Sequence, residues 1–333
     1  MILILSELEA LFKINFHQYF NPELYSNITH NMHINNKKIQ PNINKGRKIA
    51  QNKKIVICAL ARNISSVFNK TYKKLEFIGK QFNNYKIVIF ENDSSDNSRS
   101  LIRGWTTRNN NVILLDCCHM NSCNCHLKKK EGYSLGQLSQ KRISNMAMYR
   151  EVYLDYVKKN YNHYDYMLVM DFDLDGNTNI EGLFYNLSYP GWDAIFINGQ
   201  VSIPGTFGQI LAPYDAMAYV SIKDDYEHNI SLFKLIRNYI EMKYYTHNNK
   251  MMPVKSAFNG YGLYKIKSIM NTSYLGNLQC EHLNLAQDMI NNKKKLFINP
   301  GWIGYFNKQG PDGGFIKIVY GIIKTNIKEK YLN

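Results

Sequence analysis

Long apolar runs are missing from this chain. Nowhere does an uninterrupted one approach the roughly 20 residues that cross a bilayer, so no membrane-spanning helix is expected. The N-terminus MILILSELEALF begins apolar, but Ser6, Glu7 and Glu9 interrupt it at once. It has no basic leading segment, long apolar centre or small-residue cleavage site, so it does not read as a signal peptide. These absences predict a soluble, cytoplasmic protein. Acidic residues are the scarcer charge, 26 against 41 Lys and Arg, which leaves a formal charge of +15 and a pI near 9.3. Such a balance invites a nucleic-acid reading. The lysines are scattered, however, and no basic stripe interleaved with aromatics stands out. Asn, Lys, Ile and Tyr are abundant together, as AT-rich codons produce, so nucleic acid is not expected as the main partner.

Cysteine is sparse. Of six, four fall in CCHMNSCNCH, where Cys117, Cys118, Cys123 and Cys125 lie beside His119 and His126. The spacing matches no standard CxxC…CxxC zinc knuckle. A structural zinc site, reduced thiols in a surface loop and a disulfide all stay open.

The chain does hold enough to build a folded core. At 333 residues, with 45% hydrophobic and 20% charged, its composition is that of a globular protein able to bury one large core or two modest ones. Residues from about Asn15 to Gln51 are rich in Asn, His and Lys without sustained periodicity, and read as an extension with a candidate helix over SELEALFKINF. Order is expected to begin at KKIVICALARN. There Ile55 to Leu60 is a continuous apolar run, as suits a strand buried on both faces of a parallel sheet. NKTYKKLEFIGKQF reads as a helix, YKIVIF as a second strand, SLIRGWTTR as a helix and NVILLD as a third strand. That alternation predicts an open α/β sheet. The longest helical candidate, Leu138 to Lys159, carries Ile143, Met146, Ala147, Tyr149, Val152, Tyr153, Tyr156 and Val157 as its apolar stripe. YDYMLVM is the fourth strand. Beyond it, WDAIFING reads as a strand, Ser231 to Lys243 as a helix, GYGLYKIKSI as a strand entering a helix, and LFINP as a short strand.

The fourth strand runs into MDFDLDG, Met170 to Gly176. As a calcium-binding helix–loop–helix site starting at Asp171, it fails. Position eight is Thr178 rather than an aliphatic residue, and position twelve is Gly182 rather than the bidentate Glu. As a strand end, it brings Asp171 and Asp173 to one face, because alternate strand residues share a side. The carboxyl edge of an α/β sheet is where ligands bind. Hard carboxylate oxygens there suit Mg²⁺ or Mn²⁺, with waters and phosphate oxygens completing the shell.

Taken in order, ALARN, ENDSSD, the long Arg-containing helix and MDFDLDG resemble a GT-A nucleotide-sugar glycosyltransferase of the DxD type. FNGYGLYKI, CEHLNLA and INPGW resemble the acceptor half of a subgroup seen in large DNA viruses and some microbes. The similarity runs from about Lys53 to Trp302. It implies a Rossmann-like, mostly parallel central sheet with flanking helices. It also implies a division into an extension (1–52), a glycosyltransferase domain (53–310, with 53–176 the nucleotide-sugar half and 177–310 the acceptor half) and a tail (311–333). The implied reaction moves a sugar from a UDP- or GDP-linked donor to a hydroxyl of a glycan, protein or other acceptor, with Mn²⁺ or Mg²⁺ as cofactor. On the matching positions, Ala59, Ala61, Arg62 and Asp93 would hold the nucleoside, with Arg142 and Asn145 as further donor contacts. Asp171 would touch ribose or metal, Asp173 and His282 would bind metal, Glu281 would be the base, and Asp175 a further ligand or acceptor-side group. Asp215 and Asn259 would contact acceptor or sugar. Two rivals stand beside this. A nucleotidyltransferase would carry a Gly-rich loop after the first strand, and ALARNISS has no glycine. An inactive sugar-nucleotide-binding module would have eroded carboxylates, and these are intact.

Overall fold

The computed structural model of the chain describes residues 39–116, 140–174, 176–205, 208–215, 217–226, 241, 250–278 and 280–306. In chain order the elements are α1 (Gln40–Ala50), β1 (Lys54–Ala61), α2 (Phe68–Gly79), β2 (Asn84–Glu91), α3 (Ser98–Arg108), β3 (Val112–Leu115) and α4 (Gln140–Asn160). Then follow β4 (Tyr166–Met170), β5 (Asn177–Thr178), α5 (Ile180–Ser188), β6 (Ala194–Gly205), β7 (Gly208–Pro213) and β8 (Val220–Ser221). The last are β9 (Met252–Ser256), β10 (Tyr261–Lys265), α6 (Ile266–Ile269), α7 (Glu281–Asn291) and β11 (Leu296–Phe306).

The strands form one sheet in the order β3-β2-β1-β4-β10-β6-β11-β9-β8, with β5 added on β11 and β7 on β6. β3, β2, β1 and β4 run parallel. β10 runs antiparallel to both β4 and β6, and β6 is parallel to β11. The central sheet is therefore mostly parallel, with β10, β9, β7 and β5 inverted, and helices cover both faces. This is the α/β class expected from the strand–helix alternation.

β1 reads as an unbroken apolar run because each face meets its own core. Ile55, Ile57, Ala59 and Ala61 pack toward α1, α2, α3 and α5. Val56 and Cys58 pack toward α4, α6 and α7. Burying side chains such as Ile55 and Ile57 stabilises the fold by roughly 1.5–3 kcal/mol each. The α4 stripe holds: Ile143, Ala147, Tyr149, Tyr153, Leu154 and Val157 are buried.

Two elements differ from the sequence reading. The stretch read as an extension contains α1, which has Pro41 in its first turn and Arg47 and Lys48 in its last, and buries Ile43, Gly46 and Ala50. Its Gly46 lies so close to α5 that an added Cβ would sit 1.7 Å from the Phe184 carbonyl oxygen. β11 runs on through Phe306 rather than stopping at INP. The candidate helices over SELEALFKINF and, but for Glu241, Ser231–Lys243 lie outside the described residues, as do the Cys117–His126 cluster and the 311–333 tail. Among the described residues no helix is long and apolar enough to cross a membrane.

Candidate active site

β4 is buried throughout and ends at Met170. Beyond it the alternation persists in the turn: Phe172 and Leu174 enter the core, while Asp171 and Asp173 stay half-buried on the other side. Phe172 is held by Phe68, stacked at 6.0 Å, and by the edge of Trp105 at 6.4 Å. The amide of Asp171 donates to the Gly260 carbonyl at 3.0 Å, tying the turn to the start of β10. Lys74 donates from Nζ to the Gly176 carbonyl at 2.6 Å. Gly176 itself is required by close approach, since a Cβ there would fall 1.4 Å from the Tyr305 carbonyl oxygen. The glycine that ends the acidic run thus serves packing on β11, not a cation loop.

Asp171 is gripped from two sides. Arg150, on α4, donates from Nη2 to Oδ1 at 3.1 Å, and Tyr214, just after β7, donates its hydroxyl to Oδ2 at 3.2 Å. The same guanidinium donates from Nε to Oε1 of Glu281, the first residue of α7, at 2.9 Å, and from Nη1 to the Tyr153 hydroxyl at 3.1 Å. It also lies 5.0 Å from the Phe258 ring centroid. Arg150 is only 3% exposed. A charge so buried is stable only when its donors are paired.

These neighbours set the acid–base character of the site. Burial alone would raise Glu281, but the charges of His282 and Arg150 and the Arg150 hydrogen bond overcome it and hold its carboxyl at about 2. Burial and the Arg150 guanidinium push His282 down to about 3, opposed by the Glu281 charge. Asp171 is shifted the other way. Burial raises it, Arg150 opposes, and the Asp173 charge raises it further. Asp215, next to Tyr214, is pushed up to about 7 by burial and by the charges of Glu281 and Asp171. One Asp215 oxygen accepts from the Ala218 amide at 3.3 Å. A carboxyl poised there can exchange a proton near neutrality. Glu281, ionised and hydrogen-bonded to Arg150, is a weak base.

The structure rearranges the residues expected from sequence. Ala59 and Ala61 are core, at 0% and 1% exposure, and offer no side-chain surface to a nucleoside. Arg62 is half-buried at the end of β1, and Asp93 is exposed with a left-handed φ of +49°. The β1 and β2 loops are pinned together at this edge. The Asn63 amide donates to Ser94 Oγ at 3.0 Å, the Ser65 amide to Asp96 Oδ2 at 3.1 Å, and the Ile64 amide to Ser98 Oγ at 2.7 Å. Arg142 and Asn145 are half-buried near the start of α4. The arginine that meets Asp171 is instead Arg150, about two turns further on. Asn259 is fully buried, donating from Nδ2 to the Ile197 carbonyl at 3.0 Å, so it holds the turn before β10 rather than facing a ligand. Asp175 lies outside the described residues.

His282 does not join Asp171 and Asp173; its Nε2 lies 3.7 Å from Glu281 Oε1. Its ring stacks on Phe258 at 3.8 Å and is 3% exposed, and neither ring nitrogen has a hydrogen-bond partner among the described residues. Asp171, Asp173 and His282 do not form a three-ligand cluster, nor do any other His, Cys, Asp or Glu side chains among the described residues. The expected metal set loses its histidine for a physical reason. Successive residues of a helix diverge by about 100°, so with Glu281 turned to Arg150, His282 is carried into the aromatic core. Asp171 and Asp173 remain, and the Asp173 charge adds to the raising of the Asp171 carboxyl. Two hard carboxylates fit Mg²⁺ or Mn²⁺, which take one or two of them and fill the shell with waters and phosphate oxygens.

The sequence reading names Asp215 only as an acceptor or sugar contact and does not name Arg150 or Tyr214. Arg150 had a signal: with Ile143, Ala147, Leu154 and Val157 it repeats at three- and four-residue spacing on a buried stripe, where an arginine must find carboxylates.

No family model matches the sequence, and no curated protein matches it. Among solved structures, the chain is similar to residues 1–349 of TarS from S. aureus in complex with UDP-GlcNAc. Identity there is 12%, with a TM-score of 0.43, over 78% of this chain and 60% of that one. The same TarS piece without the ligand gives 10% identity and a TM-score of 0.38, over 76% and 60%. The mannosyltransferase PcManGT from Pyrobaculum calidifontis, in complex with GDP-Man and Mn²⁺, gives 8% identity and a TM-score of 0.45, over 90% and 74%. The chain thus spans three fifths of the TarS piece. Likeness at this level assigns no residue a role.

Proposed function

We propose that the chain is a metal-dependent glycosyltransferase, moving a sugar from a nucleoside-diphosphate sugar to a hydroxyl of a glycan or other acceptor. The observation that carries this reading is the end of β4. There Asp171 and Asp173 share one side of the turn, and Asp171 is braced by Arg150 and Tyr214 at the carboxyl edge of a mostly parallel sheet. Ligands of open α/β sheets bind at that edge. Asp171 and Asp173 would hold Mn²⁺ or Mg²⁺, which as a Lewis acid offsets charge on a departing diphosphate. Arg62, Asp93, Arg142 and Asn145 contact the donor, and Asp175 is a further ligand or an acceptor-side group. Asp215, rather than Glu281, takes the acceptor's proton, because Glu281 is committed to Arg150 while Asp215 is shifted toward neutrality.

The test is a screen of UDP- and GDP-sugars for release of nucleoside diphosphate, with and without Mn²⁺. Release that chelator abolishes, and that Asp173→Ala nearly eliminates, is expected. Full activity in Asp173→Ala removes the site assignment. Release of pyrophosphate from a nucleoside triphosphate instead establishes the rival nucleotidyltransferase.

A further inference from the structure

Three segments far apart in the chain meet on one planar group. Arg150 on α4 holds Asp171 at the end of β4, 21 positions away, and Glu281 at the start of α7, 131 positions away. Tyr153, one turn along α4, takes an Nη1 donor, and the Phe258 ring lies against the guanidinium. The three directions belong to one rigid fork, which a lysine ammonium on its flexible stem cannot reproduce. The side chains of Arg150 and Glu281 are 4% and 10% exposed, so little solvent is present to replace a lost contact.

From this geometry we infer that Arg150 is a positioning residue: it sets where Asp171 stands relative to the first turn of α7, and Glu281 is its anchor rather than a proton acceptor. The inference rests on the transfer reading above, and adds how the donor edge and the acceptor-side helix are held in register. The Cys280 thiol, 3.7 Å from the other Glu281 oxygen, and the stacking of His282 on Phe258 fix the anchor from the α7 side. Buried ion pairs of this kind can be replaced by packed apolar side chains without loss of stability. Stability and positioning can therefore be separated by experiment.

The experiment compares the wild-type chain with Arg150→Lys, Arg150→Met and the double variant Arg150→Met/Glu281→Met. It reads Tm, the kcat and KM for nucleoside diphosphate release from the accepted donor with Mn²⁺, and calorimetric binding of UDP or GDP. Arg150→Met is expected to lower Tm, since two carboxylates lose their partner. The double variant recovers much of that Tm yet stays about 100-fold down in kcat, the scale of a misplaced reacting group, with KM and nucleotide binding little changed. Arg150→Lys, which keeps the charge and the fold, also loses kcat rather than KM. Recovery of wild-type kcat together with Tm in the double variant overturns the inference, as does a wild-type rate in Arg150→Lys. A wild-type chain that releases nucleoside diphosphate from no sugar donor overturns the transfer reading itself, and the inference with it.

Discussion

Arg150 and Glu281 are joined at 2.9 Å from Nε to Oε1, with both residues almost wholly inside the protein. The consequence for Glu281 is that its carboxylate is more stable ionised in the folded chain than in the unfolded one.

Glu281→Gln is accordingly expected to destabilise the fold at neutral pH by about 3–5 kcal/mol, the scale for breaking a buried pair and stranding its partner. Because the Glu281 carboxyl falls from 4.5 to about 2 on folding, its contribution is present above pH 4.5 and is lost as pH falls toward 2. Urea denaturation across that window should show the gap between wild type and variant closing on the acid side. A pH-independent gap would mean that the pair does not titrate as a unit with folding.

Asp215 carries the opposite sign. Its carboxyl rises from 3.8 to about 7 on folding, so the folded chain holds the proton more tightly and stability declines as pH rises between those values. Asp215→Asn should stabilise the fold most above pH 7 and not at all below pH 3.8. In turnover, the same variant should lower kcat by about 10²–10⁴-fold, the range for loss of a general base, and abolish the acid limb of the pH–rate profile. An unchanged limb would return the base role to another carboxylate.

His282→Phe should cost less than about 1.5 kcal/mol, as a near volume-conserving change in an aromatic core. The His282 imidazole falls from 6.5 to about 3 on folding, so protonation of the unfolded chain erodes stability as pH drops through that range. The variant lacks that loss and should resist acid better. Its Mn²⁺ binding, followed by calorimetry, is expected to match the wild type. A large fall in metal affinity would restore His282 as a ligand.

Gly46→Ala tests whether α1 belongs to the folded unit. With a methyl placed 1.7 Å from the Phe184 carbonyl oxygen, α1 and α5 must separate, and overpacking of this kind costs about 1–3 kcal/mol. A lower urea midpoint with an unchanged slope is the expected result. No shift would mean that α1 packs elsewhere.

Much of the frame was legible in the sequence. The runs that became β1, β2 and β4 are apolar on both faces because helices cover both faces, as suits five consecutive buried residues such as Ile55 to Ala59. Asp171 and Asp173 alternate with the apolar Phe172 and Leu174, and that alternation carries past the end of β4 into the turn. α1 was not legible. Its buried face is only Ile43, Gly46 and Ala50 among polar residues, too thin a stripe to stand out. Tyr214 was equally hidden, since it reaches Asp171 only because β7 folds back on β6, 43 positions downstream in the chain. Asn259 and His282 were hidden for a shared reason: each is placed by contacts distant in sequence, Asn259 donating to the Ile197 carbonyl on β6 and His282 stacking on Phe258.

Local periodicity determined the α/β class, the long helix and the side of the turn on which Asp171 and Asp173 lie, because each depends on residues within a few positions of one another. The assignment of partners was decided only by tertiary structure. Which arginine braces Asp171, which carboxylate is pinned by that arginine and which is left near neutrality depend on the meeting of α4, β4, β7 and α7. Hydrogen bonding and charge act over a few ångströms in space, whatever the distance along the chain.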